Sequence, residues 1–511
     1  MERFVTRHSD RITATLAGFD RMRFRGTLRS ISYRRGFDQF LTRQHVLLKD
    51  FGPFALRVSD RLKAHAEALA AAAGRPVEYV ASSRVSKEDR ARAIAARDGV
   101  TEGLICVLSC VEPCRSFGVR KDRPTKRLVL TAQERKCLHL YFYYLDREFG
   151  LMHLRLQTWL PFTIHVCVNG REWLARQLRA AGIAYTQVDN AITAVADPAR
   201  AQRLLDRLGT RGWTGLLTAW ARRINPLPAA LDLRPYYWSL DESEFATDVL
   251  FRDAAALHAV YPALTRHAIE QFGSEDVLRF LGRRHGPGSD GEVTTHLQRR
   301  VEGVRVKHWV EENSIKMYDK HGTVLRIETT INNPRRYQVR RSLVRQGRRH
   351  ITWIPMRKGV CDLGRRVEVS RAANARYLDA LSVVGEPRPS HRLLDPVSVP
   401  VVRDGRRYRP LRPISPHEAP LLRAVLQGAH VAHGFSNADL RRRLVPDADG
   451  DPHRRRQATG RITRLIRLLR AHRLVHKVSR THRYRVSPLG HTIISTALTF
   501  RDTDLPLLAA A

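Results

Sequence analysis

The first 125 residues combine the spacing of a long helix with short apolar runs that are typical of strands. Gly74 and Pro76 follow an Ala- and Leu-rich stretch and indicate where its helix ends. Ser86 is placed to cap a second helix. The predicted order is a helix at about 52–73, a strand at 77–80, a helix at about 86–97 and a strand at 104–111. Because a helix separates two strands, we expect parallel pairing and an N-terminal α/β domain over residues 1–130.

Strand patterns dominate the middle of the chain, where three β-prone segments and an amphipathic helix predict a sheet built as a meander. These segments lie at 138–145, 151–159, 163–168 and 172–181. Helical patterns at 197–224, 253–272 and 274–284 and a second β region at 304–370 complete a predicted central α+β domain over 131–385. Prolines punctuate the stretch that follows, which predicts a Pro-rich linker at 386–414.

The last stretch, residues 415–511, predicts three helices, a basic β-hairpin and a closing helix. Ser436 or Asn437 is placed to cap the second helix. The third helix is expected at about 457–472, because apolar residues recur there at helical spacing. Its predicted core face consists of Ile462, Leu465, Ile466 and Leu469. The order of elements resembles the winged helix-turn-helix domains of bacterial regulators.

This resemblance implies that the third helix enters the major groove of DNA and that the hairpin touches the backbone or the minor groove. The residues implied to bind nucleic acid are Arg454, Arg455, Arg456, Arg461, Arg464, Arg467, Arg480, His482 and Arg483. Phosphate contacts are expected for most of the arginines, because phosphates receive the majority of protein–DNA hydrogen bonds. One alternative is that the winged helix binds protein rather than nucleic acid. A separate alternative for the arginines is that they form a solvated face. Taken together, the patterns predict an α+β multidomain fold with an N-terminal α/β region, a central mixed sheet with helices and a C-terminal winged helix.

The charge balance points to a polyanion as the partner. The chain of 511 residues has 89 Lys and Arg against 50 Asp and Glu, a formal net charge of +39. With 43% hydrophobic residues it can also bury a core, so a disordered basic tail is excluded and a small-molecule metabolic enzyme fits poorly. Residues 415–511 carry a net charge of +10 and the rest of the chain +29. Because residues 1–414 are also basic, we expect them to contact nucleic acid as well.

One β-hairpin carries the best candidate for catalysis. Residues 314–331 are expected to turn at His321-Gly322, and adjacent strands would bring Asp319 and Glu328 together. Two converging carboxylates can hold Mg²⁺ or Mn²⁺, which activates a nucleophile. The stretch is similar to the YDK…LRIE hairpins of rolling-circle replication initiators and related phage proteins, which implies a tyrosine nucleophile, here Tyr337 or Tyr377. The alternative is an exposed hairpin with cross-strand charge pairs.

Other groups leave further alternatives open. A ribonuclease H-like transposase core would draw its acids from a set comprising Asp146, Glu148, Asp189, Asp241, Glu242, Glu244 and Asp248. The aromatic run 141–144 either stacks bases or belongs to the core, which alternation along a strand favours. The cysteines at 106, 110, 114 and 137 are interpreted as small core residues rather than metal ligands. No phosphate-binding loop is visible, so no nucleotide or organic cofactor is expected.

The whole chain looks like a group of uncharacterised bacterial proteins of mobile-element character. We therefore expect a nucleic-acid-binding protein of transposase or replication-initiator type, with metal-dependent nuclease, transposase or nickase chemistry as an open question. The competing hypothesis is a non-enzymatic DNA-binding regulator or an RNA-binding partner in a ribonucleoprotein. DNA is the expected partner, and RNA is the alternative. The chain shows no signal peptide and no run of about 18 apolar residues, which predicts a cytoplasmic protein without a membrane partner.

Overall fold

A computed structural model describes residues 1–82, 84–283, 292–301, 303–345, 348–382, 384, 390–427, 430, 434–479 and 481–502. The chain forms two compact units. Unit 1 comprises Met1–Thr15, Thr247–Thr329 and Val369–Ala511, and unit 2 comprises Leu16–Ala246 and Thr330–Glu368. Both units mix helices with sheet, so the predicted mixed α and β character is confirmed.

In the described residues the helices are α1 (Glu2–Arg7), α2 (Arg34–Arg43), α3 (Phe51–Ala72), α4 (Lys87–Arg97), α5 (Gly170–Ala180), α6 (Pro198–Thr210), α7 (Trp213–Ile224), α8 (Leu227–Ala230), α9 (Ala254–His258), α10 (Tyr261–Glu270), α11 (Ser274–Phe280), α12 (Leu363–Leu381), α13 (Ser390–Leu394), α14 (Ala419–Leu426), α15 (Asn437–Leu444), α16 (Pro452–Ala471) and α17 (Pro488–Asp502). Short 3₁₀ turns link several of them. In this part of the chain no helix combines the length and the apolar character that membrane crossing requires.

The strands of the same residues are β1 (Ile12–Thr27), β2 (Val77–Tyr79), β3 (Gly103–Lys121), β4 (Leu128–Asp146), β5 (Gly150–Gln157), β6 (Ile164–Asn169), β7 (Tyr185–Val188), β8 (Ala191–Val195), β9 (Tyr237–Phe251), β10 (Thr294–Arg300), β11 (Gly303–Val310), β12 (Asn313–Lys320), β13 (Val324–Ile331), β14 (Gln338–Arg345), β15 (Arg348–Pro355), β16 (Val401–Arg403), β17 (Arg406–Tyr408), β18 (Val475–Lys477) and β19 (Tyr484–Val486). They account for most of the predicted β regions, with longer strands than the apolar runs alone suggested.

The main sheet of unit 2 has the strand order β9-β1-β6-β5-β4-β3-β2. The predicted meander is confirmed, because β4, β5 and β6 pair antiparallel in succession. The predicted strand–helix–strand unit is confirmed as well: β2 pairs parallel with β3 after α4, and Ser86 Oγ accepts the N–H of Asp89 to cap that helix. The expected domain boundary at 130 lies inside β4, which pairs with β3 along the whole length of both strands.

Both faces of this sheet bury apolar residues near β3 and β4. Phe142 and Tyr144 lie in the large core on one face, and Tyr141 and Tyr143 pack on the other face with Ile94 of α4. The core interpretation of the aromatic run is therefore confirmed. All four predicted core cysteines lie in these clusters, Cys114 and Cys137 in the large core and Cys106 and Cys110 on the other face.

Unit 1 contains a sheet with the order β10-β11-β12-β13-β9. The predicted turn between β12 and β13 is confirmed, with His321 and Gly322 at φ 54° and 73°, a region that glycine adopts without cost. One face of the hairpin buries alternate residues such as Met317 and Ile327, which pack with Leu264 of α10. The opposite face of the hairpin is polar and is described below.

The C-terminal part of unit 1 has a core of its own, in which α14, α15, α16 and α17 pack together. Leu393, Val397 and Leu411 belong to this core. They lie in the segment 386–414, which was expected to be a linker; its described part instead contains α13 and the hairpin of β16 and β17. Within the described part of this segment, the prolines therefore lie in or between short elements rather than in an extended spacer.

Candidate nucleic-acid interface

Helix α15 begins at a capping box and is joined to α16 by the amide of Asn437. Ser436 is its N-cap and forms a capping box with Asp439, as the sequence predicted for one of two positions. Burial raises the pKa of Asp439, but the hydrogen bonds from Ser436 lower it further, so the carboxyl stays below its ordinary value. Asn437, the other position, instead donates to Thr463 Oγ1 of α16 at 2.9 Å.

Helix α16 buries one side and presents arginines on the other. Ile462, Ile466 and Leu469 are buried as predicted, whereas Leu465 is half-buried. At 100° per residue, Arg456, Arg464 and Arg467 project from the side opposite this core. All six arginines predicted on or before the helix are exposed: Arg454, Arg455, Arg456, Arg461, Arg464 and Arg467. The sequence pattern therefore identified a cationic face that water reaches.

The helix begins five residues earlier than the sequence predicted. Asp451 caps it by accepting the N–H of His453 at 2.9 Å, and Pro452 occupies the first turn, where a missing N–H costs nothing. Arg454, Arg455 and Arg456 consequently lie on the helix and not in a loop. The whole helix is about 30 Å long, from its 20 residues at 1.5 Å each.

Four of these arginines line one surface depression of about 660 Å³. Arg454, Arg456, Arg461 and Arg464 come from α16, and Asp447 and Ala448 come from the turn before it. Gly460 also lines the depression and leaves the helix backbone open between the arginines. With four cations and one acid, the depression has the charge that binds phosphate groups.

The predicted β-hairpin is present as β18 and β19, which pair antiparallel. His482 is exposed at its tip, whereas Arg483 donates to Gly434 O at 3.0 Å and is held to the body. Arg480 lies outside the described residues. Tyr484 also bridges to Phe435, which adds a third short chain segment to the hairpin. Of the two predicted hairpin contacts within the described residues, His482 is therefore exposed and Arg483 is half-buried.

The candidate catalytic acids of the hairpin 314–331 point to opposite sides. Glu328 accepts hydrogen bonds from Lys316 Nζ at 2.5 Å and Tyr318 OH at 2.9 Å, and all three side chains are buried. Because alternate residues of a strand face opposite sides, Asp319 lies on the other face of β12 from Lys316 and Tyr318. There it accepts the N–H of Gly322 at 2.8 Å, while burial raises its pKa. The expected convergence of Asp319 and Glu328 on one cation is not what the structure shows.

The two candidate tyrosine nucleophiles are buried. Tyr377 has no exposed surface, packs between Phe272 and Phe280 and hydrogen-bonds to His308 Nε2 at 3.0 Å. Burial raises its pKa well above the ordinary value, which disfavours the phenolate. Tyr337 is 4% exposed and lies in unit 2, where it follows a 3₁₀ turn. Neither ring presents its hydroxyl on the surface as a strand-cutting nucleophile would.

The remaining acidic candidates are mostly engaged by cations or turns. Asp146 accepts the N–H groups of Glu148 and Phe149, and Glu148 pairs with Arg211. Asp189 lies at a turn with φ 49°. The other partners are Arg23 for Glu242, His165 and Lys358 for Asp241, and Arg326 for Asp248. Burial raises the pKa of Asp241, and the hydrogen bond from His165 and the charge of Lys358 bring it below its ordinary value.

One pair of acids in unit 2 does come together, and the sequence reasoning missed half of it. Asp20 and Glu244 place carboxylate oxygens within 4.8 Å of each other, a separation at which both can bind one divalent cation. Asp20 also accepts from Asn190 Nδ2 at 3.0 Å and lies 3.9 Å from Arg171 Nε. The signal for Asp20 was a carboxylate directly after the apolar run 16–19, where an unpaired charge would be costly.

The geometry thus offers an exposed cationic helix and a set of acids that are largely neutralised. Comparison of the chain with protein-family models, with curated proteins and with solved structures gave no match.

Proposed function

We propose that the protein is a DNA-binding protein of mobile-element type that holds DNA through a winged helix formed by residues 415–511. The order α14, α15, α16, β18, β19 and α17 supports this proposal, because three helices, a hairpin and a closing helix are the elements of that motif. In such motifs the third helix enters the major groove, which is about 12 Å wide and admits one helix. Helix α16 is the third helix of this series.

The observation that carries the proposal is the arginine-lined depression on α16. Four exposed guanidinium groups on one side of a helix outnumber the acids beside them. Among the ion pairs of the described residues, only Arg454 of the four has one, with Asp451 at 3.7 Å. Phosphate groups would neutralise them, and the release of counterions would make the affinity fall steeply with salt.

The acids favour binding over cleavage. Asp248 and Glu328 are buried against Arg326 and Lys316, so their charges are already balanced by cations of the protein. A metal-dependent nuclease needs carboxylates that are free to bind the ion. We therefore propose binding to a DNA site as the main function and strand cleavage as the second candidate.

The test compares binding of the full chain to a 30-base-pair duplex by fluorescence anisotropy. Arg461→Gln/Arg464→Gln is the test variant, and Arg57→Gln/Arg61→Gln, two exposed arginines of α3, is a control with the same loss of charge. We expect the test variant to lower the magnitude of the slope of log affinity against log salt by about 2, and the control variant to leave it within error. Equal slopes for the two variants would refute the proposal.

A selection from random duplexes separates a site-specific protein from a nonspecific one. The wild-type chain should enrich a common sequence, and the Arg461→Gln/Arg464→Gln variant should lose that enrichment while the Arg57→Gln/Arg61→Gln variant keeps it. RNA of the same sequence is the competitor that tests the alternative partner. Stronger retention by RNA than by duplex DNA would favour the ribonucleoprotein hypothesis.

Metal-dependent strand cleavage is the second candidate, and the Asp20–Glu244 pair is the observation that favours it. Labelled single- and double-stranded DNA should be cut in the presence of Mg²⁺ or Mn²⁺ if this pair binds a catalytic ion. Asp20→Asn and Glu244→Gln would then abolish cutting, whereas Asp319→Ala would not. Binding without cleavage under every condition would remove this candidate and leave DNA binding as the function.

A further inference from the structure

The hairpin of β14 and β15 is exposed on both faces. These strands form a two-stranded sheet of their own in unit 2, with eight residues in each strand and pairing from Gln338↔Pro355 to Arg345↔Arg348. At about 3.4 Å per residue the arm extends about 27 Å. Most of its described side chains are exposed, and the others are half-buried. We call residues 338–355 the arm.

The arm combines apolar side chains with an unusual excess of cations. Residues 335–358 contain nine Lys and Arg and no Asp or Glu. Val344, Ile351 and Trp353 are exposed to 70%, 65% and 58%, and they share one face. A two-stranded hairpin is marginally stable in water, and apolar groups so exposed are typical of a surface that a partner covers.

Side chains from the body of unit 2 contact the base of the arm. Arg341 pairs with Asp362, which also accepts the N–H of Arg357 at 2.8 Å. Arg365 of α12 donates to Gln338 O at 2.9 Å and lies 5.6 Å from the ring centroid of Trp353. These contacts hold the first residue pairs of the hairpin against the body of unit 2. The base of the arm is therefore fixed, and its outer residues are the ones open to a partner.

Arg340 and Arg349 lie on the same face as the apolar residues. Arg340 is opposite Trp353 and Arg349 is opposite Val344 in the pairing register, and both arginines are exposed. This face therefore places one cation at each end of an apolar patch. A polyanion with an apolar interior is the partner that matches both features, because phosphates lie along its edges and bases between them.

We propose that the arm binds duplex DNA by lying in a groove, with Arg340 and Arg349 on phosphates and the apolar patch toward the bases. The B-DNA major groove admits a two-stranded β-ribbon, and basic ribbons also enter the minor groove, where apolar side chains wedge between base steps. The length of the arm spans most of one helical turn of about 34 Å. This surface is separate in sequence from α16, and the inference does not depend on the winged helix.

The test uses the full chain with the same 30-base-pair duplex and a 30-nucleotide single strand. Arg340→Gln/Arg349→Gln should weaken duplex binding by about tenfold and lower the magnitude of the salt slope by about 2. Trp353→Ser should weaken duplex binding with the slope unchanged, since no charge is lost. The Arg57→Gln/Arg61→Gln control should change neither quantity, and thermal melting should show all variants folded.

The outcomes distinguish this inference from the proposed function. If the Arg461→Gln/Arg464→Gln variant loses binding and the arm variants do not, the arm inference is overturned and the winged-helix proposal stands. The reverse result supports the arm and removes the winged helix. Tighter binding to single strands than to duplex overturns groove binding. Arm variants that dissociate an oligomer in sedimentation without any change in DNA affinity also overturn it, because the patch then covers another copy of the chain.

Discussion

The buried ion pair between Asp248 and Arg326 gives the sharpest test of whether the acids of unit 1 are structural. Both side chains have no exposed surface, and two hydrogen bonds of 2.5 and 2.9 Å join them. Asp248→Asn leaves a buried guanidinium without this counter-charge, which costs about 3–5 kcal/mol of unfolding free energy. We expect a value near 3 kcal/mol, because the replacement amide oxygen still accepts one hydrogen bond.

The partner variant and the double variant complete the cycle. Arg326→Met should cost a similar amount, since it leaves a buried carboxylate. Replacing both, as Asp248→Leu/Arg326→Met, should cost far less than the sum of the single variants, because both buried charges disappear together. Urea unfolding in EDTA measures each free energy, with far-ultraviolet circular dichroism and tryptophan fluorescence required to coincide.

The opposite result has a clear meaning. In a site built to bind a cation, carboxylates repel each other when no ion is present, so neutralising one of them raises stability. An Asp248→Asn variant that is as stable as the wild type or more stable would therefore refute the structural interpretation. Single-variant costs that simply add would show that the two groups do not act as a pair.

Three further predictions concern stability. Burial lowers the pKa of His308 to about 4, so the unfolded chain binds a proton that the folded chain does not, and the stability due to this group falls as pH drops below about 6.5. At pH 5 this one group accounts for a loss of about 2 kcal/mol, and urea titrations should show the acid-induced loss smaller by that amount in His308→Gln; an unchanged loss would refute the assignment. Ser436→Ala should cost about 1 kcal/mol in thermal melting, because the capping box of α15 is lost; no change would refute the role of the cap. Gly170→Ala should cost about 2–3 kcal/mol, since its Cβ would lie 1.8 Å from a backbone oxygen, whereas Gly215→Ala, with open space around it, should gain about 0.5 kcal/mol; equal effects would contradict the packing.

Local signals predicted the local elements well. The cap at Ser436, the turn at His321-Gly322 and the parallel pairing of β2 with β3 all follow from residues that are close in sequence. The start of α16 was predicted five residues too late, because the prediction relied on the spacing of apolar residues, which begins after Pro452. A proline in the first turn of a helix, preceded by an aspartate cap, is itself a signal that the helix begins there.

Long-range contacts explain what the sequence could not predict. Asp248 and Arg326 are 78 positions apart, and no spacing rule joins residues on β9 and β13. The same holds for Asp20 and Asn190, which are separated by 170 positions. The tyrosine candidate Tyr377 has the residue type of a nucleophile, but only the packing of α12 shows that it belongs to a core. Charge partners and burial decide the role of a side chain, and both depend on tertiary structure.

The glycine at position 460 has a consequence for how this protein can evolve. A residue with a side chain would stabilise α16 by about 1 kcal/mol, since glycine is a poor helix former. Its Cβ would meet Arg464 Nη1 at 4.0 Å and begin to fill the depression between the arginines. Selection for a sturdier helix and selection for an open cationic surface therefore act in opposite directions at this position. Variants recovered for heat resistance alone are expected to change Gly460. If α16 binds DNA as proposed, they should also lose affinity for it.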